Sequence, residues 1–501
     1  MRAPKISKSL ARFIAIRALM ALLLFMTLAA WSMGSAVGGS PDEDYVLTSI
    51  WCGTEGNPPY CRKDPDRASA MILPIMVAEP QLCYLPGNGT ESAHCQKYLF
   101  NQEISTDNYN SQERYPSGYF DFARQFVGSD IEKSVLAIRF FNSLLASIII
   151  VFGASLSRRN QEDVFIAWLC VATPTSLYFL SSVNSISWTI IGASAFVLSV
   201  SAAIENLANT KKLLGPAALF IFAIFLTVSS RSEGKYALIV LFIVMTLQGL
   251  IQKPVRKSRH IIILMSALIF YFIFSNLNFS QLKLFDRSNS AVIDGVFYSP
   301  LNLLIQNLID IPRFVTGFFG SWGLGWFELK IGEITWLFAL QSCLLIIGYS
   351  FLKSNKSNRI MFCCLTGTLL FAILLANQSR FSQIGNDVQP RYFLPFFIGI
   401  ILISVAFKTV EFPLSLSILA ATMSIISNSV ALRWTLRRYT TGQDIFVSKS
   451  LNDRIEWWWG FDLTPESVWV LGSSSLIMLF VVVVYEKRHL RNLNLRVQVN
   501  V

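Results

Sequence analysis

The sequence predicts an all-α fold: a bundle of about twelve transmembrane helices, with both termini in the cytoplasm and a cap of extracytoplasmic loops. The 501-residue chain is 53% hydrophobic and 15% charged, with a mean hydropathy of +0.49. Soluble proteins are about 45–50% apolar and about 25% charged. The apolar residues fall into runs of about 20, the length that crosses a bilayer. This composition excludes a disordered chain, a coiled coil, a small disulfide scaffold and an ordinary soluble enzyme.

Polar breaks divide the apolar sequence into spans. Clear breaks occur at Ser157 to Glu162, at Lys211-Lys212 and at Lys353 to Arg359. Only Ser181 to Ser185 separates the third span from the fourth, and the tenth span is short. The twelve predicted spans are 13–36, 134–156, 164–182, 186–204, 213–230, 235–251, 260–277, 334–352, 359–376, 392–407, 412–432 and 467–485.

The charge distribution sets the predicted orientation. With the N-terminus in the cytoplasm, the cytoplasmic segments carry a net charge of +16 and the first outside loop, 38–132, carries −8, within a total of +11. Cytoplasmic loops are enriched in Lys and Arg. We therefore interpret these cations as topology signals that contact anionic lipid, and not as a nucleic-acid surface.

The first span is predicted to be an uncleaved signal anchor. Its apolar run from Leu19 to Val37 is longer than the roughly 7–15 residues of a signal peptide. Cleavage would leave eleven spans and keep the first loop outside. The predicted segments are 1–37 (N-terminus and first span), 38–132 (first extracytoplasmic loop), 133–277 (spans two to seven), 278–333 (extracytoplasmic loop), 334–432 (spans eight to eleven), 433–466 (extracytoplasmic loop) and 467–501 (last span and basic tail).

Four of the eight cysteines lie in the first loop, which indicates an oxidising compartment and two disulfides. Local closure favours Cys52–Cys61 and Cys83–Cys95, because each pair brackets a short stretch that contains Pro or Gly. Metal binding by these four is the alternative, but none of them forms a C-x-x-C pair. The remaining cysteines lie in spans and are predicted to be packing residues.

An acidic cluster follows the first span. Asp42, Glu43 and Asp44 lie within Ser40 to Tyr45, at the predicted outer membrane surface. Carboxylates can act as general bases or hold a divalent cation, and repulsion between neighbours raises the pKa of at least one of them. The alternative interpretation is a solvated acidic start of the loop.

Two cationic segments are candidates for binding a phosphate. Arg231 and Lys235 flank Glu233 in a tight outside turn between two spans, and Arg391 lies between prolines at the outer end of the tenth span. Charge near a membrane is costly and is usually functional or paired, and Arg binds phosphate by bidentate hydrogen bonds. The alternative for the turn is an Arg–Glu pair that caps two helices. Tyr392 alone fits an aromatic girdle.

Aromatic clusters give a weaker signal. Trp322, Trp326 and Phe327 could stack on a sugar or lie at the lipid interface, and the run Trp457 to Trp459 poses the same choice. Interfacial Trp is common, which favours the lipid interpretation. The chain has 3 His, which argues against a His-based hydrolase or a multi-His metal centre. It contains no Walker A motif, dinucleotide-binding glycine fingerprint or G-x-S-x-G elbow.

Three short motifs together resemble the bacterial membrane family called domain of unknown function 2142. Its members show a Pro-Asp-Glu motif just after the first span, which matches Pro41-Asp42-Glu43. They also show a Tyr-Pro segment late in the first loop, like the segment 115–119, and an Arg-Tyr-hydrophobic-Pro motif, like the segment 391–395. The resemblance covers about residues 10–485 and implies a multi-pass protein of the bacterial plasma membrane.

That family is similar in layout to GT-C glycosyltransferases, which take a sugar from a polyprenyl-phosphate donor on the outer side of the membrane. The similarity implies a glycan, lipid or protein acceptor, and a catalytic acidic residue at Asp42 or Glu43. Arg231, Lys235 and Arg391 would bind the donor phosphate, and a divalent cation is an optional cofactor. The residues expected to line the site are Asp44, Tyr115, Tyr119, Glu233, Tyr392 and Trp322.

Two other functions remain open from the sequence. A transporter or flippase of lipid-linked sugars suits twelve spans, but such proteins usually show repeats and broken helices near mid-membrane, and the sequence shows no convincing halves. A glycan polymerase shares the lipid-phosphate chemistry, but such proteins usually carry their main loop later in the chain. An enzyme is expected to place Asp42 with Arg231 or Arg391 around one outward-facing pocket, within about 15 Å.

Overall fold

The computed structural model describes residues 8–85, 90–99, 102–157, 161–207, 209–252, 291–293, 296–408, 410–443 and 450–499. Helices dominate these residues. They are α1 (Lys8–Ser32), α2 (Glu43–Cys52), α3 (Ile75–Ala78), α4 (Gly118–Ala123), α5 (Ile131–Leu156), α6 (Gln161–Val171), α7 (Pro174–Leu180), α8 (Ile186–Asn206), α9 (Leu214–Ser230), α10 (Ser232–Gln252), α11 (Pro300–Gly317), α12 (Glu333–Leu352), α13 (Lys356–Ser379), α14 (Leu394–Ala406), α15 (Leu414–Thr440) and α16 (Pro465–Val499). The strands are β1 (Arg62–Lys63), β2 (Met71–Pro74), β3 (Glu103–Thr106), β4 (Ala291–Ile293) and β5 (Val296–Tyr298).

Seven of these helices are long and apolar enough to cross a membrane, and an eighth span is present if the bent pair α6–α7 counts as one. The seven are α1, α5, α8, α12, α13, α15 and the apolar part of α16. Helix α9 and the segment Pro390–Ala406 are apolar but shorter. The helical membrane architecture predicted from the sequence is therefore present, whereas the count of twelve spans stays a prediction. The predicted span 260–277 lies outside the described residues.

The third predicted span, 164–182, is not one straight helix. Helices α6 and α7 meet at an angle of 91°. Pro174 disfavours helical backbone at Thr173, and the Thr173 hydroxyl accepts a hydrogen bond from the Ser176 N–H and starts α7 as a new helix.

Contacts at the two ends of this bent pair indicate how it runs through the bundle. Glu162 pairs with Arg17 in the first half of α1, at 2.9 Å, whereas Asn184 donates to the Pro41 carbonyl beyond the end of α1, at 2.9 Å. Helix α1 spans about 37 Å at 1.5 Å per residue. The two contacts therefore lie at different levels along α1, and the bent pair α6–α7 extends from one level to the other.

A buried ion cluster lies at the side of the bundle that the charge distribution predicts to be cytoplasmic, and it sets a scale for depth. Asp163 pairs with Lys408 and with Lys487, and all three side chains are buried. Helix α14 has only 13 residues between this layer and the turn that holds Arg391, a rise of about 20–25 Å. Helix α15 rises about 40 Å over its 27 residues. The short helix leaves a recess at the end of the bundle opposite the ion cluster, between the ends of longer helices.

The first loop folds into a cap over this recess. Its strands form an antiparallel sheet in the order β1-β2-β3, with Arg62 opposite Ile72 and Met71 opposite Thr106. The disulfides favoured by the sequence, Cys52–Cys61 and Cys83–Cys95, are both present and are thereby confirmed. On the bundle side, buried Arg438 of α15 donates to backbone carbonyls of Tyr84 and Glu91, which fixes the cap to a transmembrane helix.

Candidate functional site

A cavity of about 350 Å³ lies where the cap meets the ends of the helices opposite the ion cluster. Its walls come from the start of α2, from the late part of the first loop, from the α9–α10 turn and from the segment that precedes α14. The lining residues are Asp42, Asp44, Tyr45, Val46, Asn108, Arg114, Tyr115, Phe120, Ser185, Arg231, Trp326 and Tyr392.

Asp42 occupies an unusual backbone conformation at the N-terminus of α2. Its φ of 63° and ψ of 9° are left-handed, which costs a residue with a Cβ roughly 1–2 kcal/mol. Arg391 holds it there, since one guanidinium nitrogen donates to the Asp42 carboxylate at 2.6 Å and another to the Pro41 carbonyl at 3.0 Å. The Asp42 side chain remains 39% exposed. The chain thus holds a partly exposed carboxylate in a strained position beside a buried guanidinium.

Glu43 points away from the cavity. Its side chain is fully buried and pairs with Arg139 of α5 at 2.8 Å, while its other oxygen accepts the Ser40 N–H at 2.8 Å. Arg139 also donates to the Ser32, Ser35 and Ala36 carbonyls at the end of α1. Of the two carboxylates that the GT-C similarity named as catalytic candidates, the structure places only Asp42 at the cavity.

Asp44 is the second carboxylate of the cavity. Its oxygens accept hydrogen bonds from the Tyr45 N–H at 2.8 Å and from the Gln81 amide at 3.1 Å. Burial, together with the negative charge of Asp42, raises the pKa of Asp44 to about 6. Near pH 6 the cavity therefore holds Asp44 in a mixture of charged and neutral forms, and at pH 7 the charged form predominates.

Arg231 forms the cationic wall of the same cavity. It is 3% exposed, and its guanidinium lies 4.9 Å from the ring centroid of Tyr115 and 5.3 Å from that of Tyr392. Glu233 is its carboxylate partner, at 3.4 Å, as the Arg–Glu alternative for this turn anticipated. The aromatic rings hold the guanidinium plane at the cavity, and burial raises the pKa of Tyr115, which keeps its phenol neutral.

Six residues that the sequence pointed to do not line the cavity. Glu43 and Arg391 are buried in ion pairs with Arg139 and Asp42, and Glu233 contacts Arg231 from outside the lining. The other three are Lys235, Trp322 and Tyr119. Lys235 lies in the first turn of α10 and is absent from the cavity wall. Trp322 donates its indole N–H to the Arg313 carbonyl at 2.8 Å. Tyr119 is buried against Trp188, with ring centroids 5.3 Å apart.

The structure also brings residues to the cavity that the sequence analysis did not place there. Arg114 adds an exposed cation at the rim, directly before Tyr115 in the segment that already stood out. Trp326 lines the wall in place of Trp322, and its indole N–H donates to the Gly38 carbonyl at 2.8 Å. The sequence alone could not show which of these two tryptophans faces the cavity.

The sequence leaves open whether the carboxylates of the acidic cluster hold a divalent cation. Among the described ranges, no group of three or more His, Cys, Asp or Glu side chains is arranged to hold a metal ion. Asp42 is engaged by Arg391, and Asp44 by backbone and amide donors.

Comparisons with known proteins give one match. A sequence model of the family described as a predicted membrane protein, DUF2142, matches residues 24–400. The matched range includes every residue that lines the cavity. Comparison with curated proteins and with solved structures gives no match.

Proposed function

This chain belongs to the DUF2142 family of predicted membrane proteins, and we propose that it is an integral membrane glycosyltransferase. It would move a sugar from a polyprenyl-phosphate donor to a cell-surface glycan, lipid or protein acceptor on the extracytoplasmic side of the cell membrane. One observation carries the proposal: Asp42, a partly exposed carboxylate that pairs with buried Arg391, lines the same cavity as buried Arg231, below a disulfide-closed cap.

The cationic wall supports binding of a lipid-linked phosphate. Arg231 has a single carboxylate contact, to Glu233 at 3.4 Å, which is long for a charge-assisted hydrogen bond. Its guanidinium nitrogens can therefore donate to a phosphate oxygen as well. Arg114 at the rim adds a second cation. Two arginines around one phosphate suit its charge better than lysines would, since the guanidinium fork matches the geometry of two phosphate oxygens.

The depth of the cavity supports a donor that stays in the membrane. Arg391 lies about 20–25 Å above the cytoplasmic ion layer at Lys408, counted along α14. The hydrocarbon core of a bilayer is about 30 Å thick. Counted from an ion layer at the inner edge of that core, a phosphate at this level would lie in the outer leaflet, about 5–10 Å below the outer edge, with its lipid chain still in the bilayer. A lipid donor would thus reach the cavity sideways, whereas a polar acceptor would come from the outside.

The proposed reaction is a direct displacement at the sugar. Asp42 accepts the proton of the acceptor hydroxyl, and the hydroxyl oxygen forms a bond to the anomeric carbon. The bond between that carbon and the phosphate oxygen breaks, and the lipid phosphate leaves with the electron pair. Arg231 and Arg114 stabilise the charge that develops on the leaving phosphate, while Arg391 holds the Asp42 carboxylate in place. Glu43 acts as a positioning residue, since its buried pair with Arg139 fixes the start of α2 next to Asp42.

The test is reconstitution of the purified chain in vesicles with a panel of polyprenyl-phosphate sugars, scoring sugar transfer or donor hydrolysis. Arg231→Gln should raise the donor KM by at least about tenfold, because a charged hydrogen bond to phosphate contributes roughly 1.5–3 kcal/mol. The matched control is Arg62→Gln on the cap surface, where an exposed pair with Glu103 leaves donor binding unchanged. Cleavage of no donor in the panel would contradict the proposal, and movement of intact donor across the bilayer would indicate the flippase alternative.

A further inference from the structure

Helix α11 carries an apolar face that no described part of the protein covers. It belongs to the segment 278–333, which the sequence analysis treated as an extracytoplasmic loop. Leu301, Ile305, Leu308 and Ile309 are 65%, 49%, 49% and 66% exposed. At about 100° per residue these four side chains fall within an arc of about 100° on one side of the helix.

The opposite side of α11 packs on the protein. Leu303, Asn307 and Phe314 are buried on that face. The Asn307 side chain donates to the Ser382 carbonyl at 3.1 Å and accepts the Ile384 N–H at 2.8 Å. These contacts fix the orientation of α11. Its apolar face is therefore exposed because of how the helix packs on the protein, and not because the helix is loosely packed.

The two ends of α11 are tied to the outer ends of membrane-crossing helices. At its start, the Pro300 carbonyl accepts a hydrogen bond from Gln378, in the last turn of α13, at 2.9 Å. Near its end, the Phe314 ring lies 5.8 Å from the ring of Phe393, the residue before α14. Gly317 passes so close to Pro390 that a Cβ would lie 2.4 Å from the proline ring. Helix α11 therefore runs along the outer membrane boundary and not through the bilayer.

A polar stripe lies beside the apolar face. Asn302, Gln306 and Arg313 fall within an arc of about 40° next to the exposed apolar residues. An apolar face, an adjacent polar stripe and a position at the bilayer edge are together typical of a helix that lies in the interface plane. The membrane-facing surface of α13, with Phe371 64% exposed, adjoins the start of α11 and continues this apolar surface.

We propose that α11 is an interfacial helix, and that its exposed apolar face inserts among the phospholipids of the outer leaflet. The partner surface is lipid and not a second protein, because both ends of α11 are tied to the ends of α13 and α14 and the exposed face adjoins the membrane-facing surface of α13. The proposal does not depend on the transferase activity, and its test measures no sugar transfer.

The test uses single cysteine substitutions in the full chain, reconstituted in phosphatidylcholine vesicles. Ile309→Cys lies on the apolar face and Asn302→Cys on the polar stripe. A membrane-impermeant maleimide is added, and labelling is measured for each peptide by mass spectrometry, so that the native cysteines do not interfere. Position 309 should react at least about tenfold more slowly than position 302, because the bilayer excludes the polar reagent. Equal rates within about twofold would overturn the proposal.

A second measurement needs no substitution. A photoreactive phosphatidylcholine in the same vesicles should cross-link to the α11 peptide of the unaltered chain. Protection of position 309 without a lipid cross-link would mean that another protein surface, such as a second copy of the chain, covers the face, and the proposal would fail. A cross-link would support it even if the cysteine variants did not fold.

Discussion

Glu43→Gln should destabilise the protein severely, because it removes one partner of a fully buried ion pair. Both side chains of the Glu43–Arg139 pair have zero exposure, and their atoms lie 2.8 Å apart. Loss of one partner leaves a buried charge without its counterion, which costs about 3–5 kcal/mol. Arg139 keeps its three carbonyl acceptors in α1 and the following turn, so we expect the lower end of that range.

The free energy of unfolding can be measured by titrating the detergent-solubilised protein with a denaturing detergent and following the loss of helical structure. Glu103→Gln is the matched control, because Glu103 lies in the same loop and pairs with Arg62 at the surface, where the two side chains are 46% and 56% exposed. Exposed pairs contribute roughly 0–1 kcal/mol. The double variant Glu43→Gln with Arg139→Met should recover part of the loss, because no unpaired charge then remains buried.

The reasoning about Glu43 would be refuted if Glu43→Gln kept wild-type stability but lost activity. That result would make Glu43 the reacting carboxylate and would mean that the buried pair opens during catalysis. A variant of low stability whose residual folded fraction is fully active would support the positioning role.

Three further predictions concern the cavity and its cap. Burial raises the pKa of Asp44 to about 6. The neutral carboxyl therefore contributes up to about 3 kcal/mol to the free energy of unfolding below about pH 4, and this contribution is lost as the pH rises through 6. Asp44→Asn should remove this pH dependence from unfolding midpoints measured between pH 4 and 8, and an unchanged pH dependence would contradict the prediction. Tyr392→Leu removes one of the two rings beside Arg231 and should raise the donor KM several-fold. Tyr392→Phe keeps the ring and should bind the donor as the wild type does. Equal donor binding by the two variants would refute the contribution of the aromatic ring. Replacement of Cys52 and Cys61 by Ala opens a short loop in the cap and should lower the free energy of unfolding by about 2–3 kcal/mol. A reducing agent should lower the stability of the wild type by more than that of the variant, because the variant retains only Cys83–Cys95; equal losses in both proteins would contradict the prediction.

The membrane helices could be predicted from hydropathy alone, because lipid demands long apolar runs with internally bonded backbone. The bend at Thr173-Pro174 could not be predicted from hydropathy, because the apolar sequence continues through it. Only the backbone restriction imposed by Pro174 divides the apolar run into two helices. Helix α11 was missed for a related reason. Its apolar residues are too few for a span, and its amphipathic pattern gives no signal in a search for uniformly apolar segments.

The candidate site was predictable at the level of its charged residues. Asp42, Arg231 and Arg391 stood out because charge beside a membrane needs a partner or a function, and the structure brings all three to one place. The division of roles between Asp42 and Glu43 was not predictable. Adjacent residues point in different directions at a helix start, and only the left-handed backbone at Asp42 decides which one faces the cavity.

The central claim is that Asp42 removes the acceptor proton at a site where arginines hold a lipid-linked phosphate. The most direct measurement compares Asp42→Asn with Asp121→Asn, a carboxylate of the same loop that pairs with Arg124 at the surface, in reconstituted vesicles with a cleavable polyprenyl-phosphate sugar. We predict that Asp42→Asn lowers kcat by about 10²–10⁴-fold while the donor Kd changes little, because it removes the general base but no phosphate contact. Wild-type kcat in Asp42→Asn, or a loss of the same size in Asp121→Asn, would contradict the claim.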